Sequence, residues 1–280
     1  MTTSRVRLLA VVVLTVLAVG IAAFVPGVPA GASPTRSALG AAVAKTKPRP
    51  RQVSPLKGTI NVFAAASLTE AFQTVAKVFH FLAPGVNINL SFAGSQALVS
   101  QVQQGAPVDV IATADEASMR KLSSSDSLAS DAFLFAHNRL AMLVANGNPK
   151  HVQQLSDLAR SDVAVSLCAV AVPCGKFSQQ ILSNAGISVT PKSQEDNVKG
   201  VVIKVAAGEV DAVIGYVTDA IAARDSTDAV RIPDENNVIN AYPVAVPRTA
   251  QNDYLGRVFI LFLFSPLGQN ILALHGFMRA

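Results

Sequence analysis

The sequence predicts an α/β protein built on parallel sheets, and three observations carry that expectation. From residue 58 onward, short apolar runs alternate with stretches of helical periodicity in β-α-β-α-β order. That order packs helices on the faces of a parallel sheet. A second series of the same kind begins near Arg139. An internal echo links the two. Gly105 leads through Val108 and Asp109 to a strand and Asp115, and Gly208 leads through Val210 and Asp211 to a strand and Asp219. Two similar lobes would produce this, as would chance likeness between glycine-containing turns.

The elements follow in order. "TINVFAAA" (59–66) reads as a strand. Leu68, Phe72, Val75, Phe79 and Leu82 then recur at steps of four, three, four and three, which is one helix face. "VNINLSFA" (86–93) is the next strand, 95–104 the next helix and "PVDVIATAD" (107–115) the third strand. In the second series "RLAMLVAN" (139–146) and "DVAVSL" (162–167) are strands and 176–184 is a helix. "NVKGVVIKVAAG" (197–208) and "EVDAVIGYVTDA" (209–220) follow, with Tyr216 ending the strand "AVIGY". "YPVAVP" (242–247) and a helical tail over 253–277 close the chain. Ligands of such sheets bind at the carboxyl ends of strands, where Ala64, Ala65, Ala66 and Ser67 fall.

The N-terminal piece has a different character. Arg5 and Arg7 precede an apolar run from Leu8 to Phe24, then Pro26, Pro29 and the small residues Ala30-Gly31-Ala32. This is the pattern of a secretion signal over 1–32, with an uncleaved membrane anchor as the alternative. The run spans about 25 Å as a helix, short of a roughly 30 Å hydrocarbon core. Residues 33–57 read as a basic, proline-containing linker. The formal charge of +5 comes from this end: residues 1–57 hold eight of the 23 Lys/Arg and no acid. The 15 left face 18 Asp/Glu, so the folded part is slightly acidic and a nucleic-acid partner is discarded. The two cysteines, Cys168 and Cys174, suggest a local disulfide in an exported protein. The four histidines are scattered, and no metal-ligand spacing appears.

The candidate site residues are hydroxyls and helix starts. Ser67 opens S-L-T-E, a capping-box pattern with Glu70 three residues on. A hydroxyl beside free N–H groups at a helix start is equally the makings of an anion site. Ser95 in "SFAGSQAL" repeats the arrangement after the next strand. "VPCGKF" shapes a third helix start around Cys174, and Asn197 precedes a fourth at Val198. Tyr216 either crosses a cleft or sits in the core with its hydroxyl satisfied. A serine hydrolase using Ser67 or Ser95 is the rival from another class. Against it, no G-x-S-x-G elbow is present and no histidine lies in a comparable strand-end loop.

The ordered segments "INVFAAASLTEAF", "SFAGSQAL", "GAPVDVIATAD", "VPCGKF", "GYVTDA", "YPVAV" and "FLFSPLGQNILALHGF" resemble the molybdate-binding proteins of ABC importers, over 58–280. The resemblance implies a type II periplasmic-binding-protein fold. In that fold two α/β lobes with mixed, mainly parallel sheets are joined by a two-crossing hinge, with 58–138 and 246–280 in lobe 1 and 139–245 in lobe 2. It implies an exported, non-enzymatic protein without cofactor that delivers molybdate, or tungstate, to a membrane permease. Molybdenum would be bound as the oxyanion, with hydroxyls and backbone N–H groups at Ser67, Ser95, Cys174, Val198 and Tyr216 holding it. Two departures from the family pattern are Cys174, where a small apolar residue is usual, and Gly94, at a position often hydroxylated. Sulfate and phosphate are the alternative ligands. Phosphate carries a proton near neutral pH and would want an acceptor carboxylate, for which Glu70 and Asp115 are the candidates.

Overall fold

A computed structural model describes residues 56–280. The expected signal at 1–32 lies outside the described residues, as does all but the end of the expected linker at 33–57. Strand β1 (Gly58–Ala65) pairs in parallel with β2 (Val86–Ala93) on one side and β3 (Val110–Ala112) on the other. In the second half, β5 (Val165–Cys168) pairs in parallel with β6 (Ser193–Glu195) and β7 (Ala212–Tyr216). These ladders belong to the βαβ units that the alternation of periodicities predicts.

The remaining ladders are antiparallel, and each involves β4 (Phe133–Ala145) or β9 (Ile239–Ala245). Strand β4 serves both halves. Through Arg139 it pairs with β9, and from Leu140 it pairs with β7 and β8 (Thr227–Arg231). The whole sheet runs β2-β1-β3-β9-β4-β7-β5-β6, with β8 also on β4. Strand β4 begins at Phe133, six residues before the expected 139. Residues 239–245, expected in the second lobe, pair instead with β3 and the first half of β4. Tyr242 and Val244 accordingly sit in the first core.

Each half has its own core. Helix α1 (Thr69–Leu82) buries Phe72, Val75 and Phe79, the face its spacing predicts, while Leu82 is half-buried at its end. Phe72 and Phe79 meet Phe259 and Phe262 of α7 (Asp253–Phe264), largely edge to face. Helices α2 (Ser95–Gln103) and α3 (Glu116–Ser124) cover the other side, and α8 (Pro266–Leu274) packs on α1. The second core joins Leu143, Val165 and Ile214 of the sheet to Ile181 of α4 (Pro173–Asn184) and Val201 of α5 (Val198–Ala206). Helix α4 starts at Pro173, three residues before the expected 176. Proline suits a first helical turn, where its missing N–H costs no bond. The short helix α6 (Val217–Ala222) follows β7 directly.

Candidate functional site

All five residues expected at the site line one cavity of about 20 Å³: Ser67, Ser95, Cys174, Val198 and Tyr216. Ala65, Ala66, Gly94, Pro173 and Asn197 complete most of the wall. A cavity this small suits a compact ion. No Lys, Arg, Asp or Glu lines it.

The local fold explains the convergence. Ser67 lies in a 3₁₀ turn (Ala66–Leu68) between β1 and α1, at the carboxyl end of β1. Ser95 is the first residue of α2, after the carboxyl end of β2. Strands β1 and β2 are hydrogen-bonded neighbours as far as Ala65 and Ala93, so the two serines emerge side by side. From the other half, α4 and α5 start at Pro173 and Val198. The helix starts at Ser95 and Pro173, and the 3₁₀ turn, have no side-chain cap. Uncapped helix starts present unsatisfied N–H groups and partial positive charge to whatever occupies the space before them. At α5 the Asn197 side chain accepts from the N–H groups of Lys199 and Gly200 and does not take up that of Val198, which lines the cavity.

Neither serine acts as a cap. The Ser67 hydroxyl lies 2.9 Å from Tyr242 Oη, and Glu70 makes no reciprocal capping bond. Its carboxylate instead pairs with Lys199. The Ser67–Tyr242 contact is held in place by Asn138. Asn138 has its amide fixed, because the Arg139 N–H donates to Oδ1 and Nδ2 donates to Thr218 Oγ1, both at 2.9 Å. Nδ2 also lies 3.5 Å from Tyr242 Oη. The phenol oxygen can accept from Asn138 and exchange its bond with Ser67 in either direction; when Tyr242 donates, the Ser67 O–H is free to donate into the cavity. Ser95 is oriented in the same sense: its Oγ accepts from the Ala114 N–H at 3.0 Å, freeing its own proton.

Tyr216 is 1 % exposed, and its hydroxyl is buried without a hydrogen-bond partner. Burial, reinforced by neighbouring Tyr242 and by Asp219, pushes the phenol well above its ordinary value. It therefore stays a protonated donor throughout the neutral range. A buried unpaired hydroxyl is costly, so its persistence at a cavity wall points to a missing acceptor. Tyr242 is also raised, to about 12, by burial that its Ser67, Asn240 and Asn138 contacts only partly offset.

Cys168 and Cys174 are joined by a disulfide with Cα atoms 5.8 Å apart, tying the end of β5 to the start of α4. Gly175 is needed beside it, since a Cβ there would lie 2.0 Å from the Ala169 carbonyl oxygen. The loop-entropy contribution of so short a ring is about 2 kcal/mol. Its larger effect is to hold the α4 start in place before binding. A Cys168→Ser/Cys174→Ser double variant is expected to keep the fold, by circular dichroism, and to lose a few-fold in anion affinity. Unchanged affinity would make the bond purely structural.

The candidate carboxylates for a protonated ligand are elsewhere engaged. Asp115 caps α3 by accepting from the Ser118 N–H, and Glu70 is held by Lys199. Residues that the sequence did not reveal are Asn138 and Tyr242, which orient Ser67 from 71 and 175 positions away along the chain.

Two α/β lobes sharing strands β4 and β9 at their junction, with helix starts from both lobes converging on a small neutral cavity, define a bilobal binding protein for a small solute. The chain belongs to the family of bacterial extracellular solute-binding proteins, whose model matches residues 60–278. It is 37% identical over 240 residues to the molybdate-binding protein ModA of Mycobacterium tuberculosis (strain H37Rv), covering 85% of this chain and 92% of that one. The molybdate-binding protein ModA of Escherichia coli K12 is 27% identical over 255 residues, covering 79% and 89%. Among solved structures, the periplasmic molybdate-binding protein of Azotobacter vinelandii shares the fold with a TM-score of 0.71 at 18% identity, over 79% of this chain and 99% of that one. So does the sulfate-binding protein SubI from Mycobacterium tuberculosis, with a TM-score of 0.69 at 18% identity over 79% and 87%. The family is one of solute binding and not a class of enzymes.

Proposed function

We propose that the protein captures molybdate, and tungstate with it, between its lobes and hands it to the membrane permease of an ABC importer. The unpartnered Tyr216 hydroxyl, buried in a wall of neutral donors, carries this reading. Molybdate, tungstate and sulfate are fully deprotonated dianions near neutral pH, so they need donors only. Ser67, Ser95 and Tyr216 supply hydroxyls, and the starts of α4 and α5 supply the N–H groups of Cys174 and Val198. Neutral donors compensate the charge without the tight pairing of Lys or Arg, which suits a ligand that must be released. The absence of a lining carboxylate disfavours phosphate. The 37% identity to a protein named for molybdate favours that ion over sulfate, whose binding protein shares only the fold.

The lobes close about two crossings, which we place at Arg139/Leu140 in β4 and between β8 and β9. Export through the 1–32 segment, retained as a membrane tether or removed, belongs to the same proposal. A thermal-shift panel tests the ligand. A ligand at a hundredfold excess over its Kd stabilises by about 2.7 kcal/mol, or roughly 5–10 °C in Tm for a chain of this size. Molybdate and tungstate are expected to give that shift and sulfate and phosphate to give little. An equal shift with sulfate would reduce the reading to a general dianion binder, and no shift with any of them would remove it.

A further inference from the structure

We propose that Lys199 is a latch between the lobes, closing on Glu70 when the cleft shuts and staying with Asp219 when it opens; the inference rests on the bilobal anion-binding reading above. Lys199 follows Val198 at the start of α5. Its Nζ donates to Glu70 Oε1 and Oε2 at 2.9 and 2.8 Å, and to Asp219 Oδ1 at 2.9 Å. Glu70 belongs to the first turn of α1 in the first lobe, whereas Lys199 and Asp219 belong to the second. Among the described residues this is the one ion pair that spans the cleft; Arg139–Asp234 lies at the two crossings, and the others lie within a lobe.

The two halves of the network differ in a way that suits a latch. Asp219 has a fully buried side chain, and its other oxygen accepts from the Tyr216 N–H at 3.1 Å. Stranding such a carboxylate without a cation would be strongly destabilising. Lys199 never needs to strand it, because the two sit on the same lobe. Glu70 is the movable partner: its side chain is 38% exposed even in the closed arrangement, so separation returns it to water. Burial draws the Lys199 ammonium down, but Asp219 and Glu70 more than restore it, and its charge is kept in either position. A weaker contact acts beside it, the Gln96 amide donating to the Asp196 carbonyl across the cleft at 3.1 Å. Closure thus has a ligand-independent component that salt can screen, set next to the donors that only the anion engages.

Affinity alone would not decide this, because removing the Glu70 charge also relieves repulsion of a dianion. The decisive readout is the conformation without ligand. Spin labels at the exposed residues Gln73 and Gln180, one on each lobe, report the interlobe distance in the exported protein. The ligand-free wild type is expected to populate the closed distance, and Glu70→Gln to lower the closed-to-open ratio roughly three- to tenfold. About 0.5 M KCl should open the wild type towards the variant and leave the variant unmoved. Equal closed populations in wild type and Glu70→Gln at low salt would overturn the latch. If molybdate fails to raise the closed fraction of Glu70→Gln, the ligand reading fails instead, and the ligand-free comparison still decides the latch.

Discussion

Replacing Tyr216 by Phe is expected to move stability and affinity in opposite directions. The hydroxyl is buried and makes no hydrogen bond within the protein, so its removal deletes an unsatisfied polar group and leaves the ring packing against Tyr242. The ligand-free protein should gain about 1 kcal/mol, read as a higher midpoint in urea. The same change takes a donor from a doubly charged ligand, which costs about 1.5–3 kcal/mol, or roughly 10- to 150-fold in Kd. A buried hydroxyl with no ligand to hold would show the gain without the loss. Lower stability together with unchanged molybdate affinity would place the hydroxyl in an ordinary structural role.

The second large effect is expected at Gly94, where the cleft leaves no room for a side chain. A Cβ at this position would lie 2.5 Å from the Asp196 carbonyl oxygen and 2.6 Å from the Gln96 side-chain amide. The glutamine end can swing aside, but the Asp196 carbonyl is backbone on the opposite lobe. The clash exists only when the lobes are together. Overpacking of this kind costs about 1–3 kcal/mol, so Gly94→Ala should weaken molybdate binding roughly 5- to 150-fold. Small-angle scattering should show the variant more extended than the wild type at saturating ligand. Full affinity and an unchanged scattering profile would mean that the Asp196 backbone yields.

The parts of the fold that follow from local pattern were legible in the sequence, and the parts that depend on partners distant in the chain were not. The spacing of Leu68, Phe72, Val75 and Phe79 gives a helix face directly, because burial of one face requires that period. The first half of β4 has no such signature. Phe133 and Leu134 are exposed, the register shifts between Leu134 and Ala136, and the strand exists because β9 pairs with it. Strand β9 is expected in the second lobe because it follows that lobe in the chain, but it hydrogen-bonds into the first. Strands β6 and β8 are short and carry polar or charged residues at half-buried and exposed positions, so neither alternation nor a hydrophobic run marks them.

At the site, the sequence brought out the helix starts but could not choose between capping and ligand binding for Ser67 and Ser95. That choice rests on contacts of long sequence separation. Tyr242 takes one face of Ser67 and Ala114 one face of Ser95, so neither hydroxyl is spent on its own helix. The apparent capping box at Ser67 had a different use for its acid, with Glu70 reaching Lys199 on the far lobe. The Asn138–Tyr242 pair had no local pattern to announce it, since its members meet only where β4 and β9 run side by side.

The central claim is that five neutral donors from two lobes hold one tetrahedral dianion, and crystals grown with molybdate test it most directly. Diffraction collected at the molybdenum absorption edge locates the metal without reference to any assumed ligand. A single anomalous peak is expected inside the cavity, its oxygens within about 2.7–3.2 Å of Ser67 Oγ, Ser95 Oγ, Tyr216 Oη and the backbone nitrogens of Cys174 and Val198. A molybdenum peak elsewhere on the protein, or an empty cavity at saturating molybdate, would contradict the account.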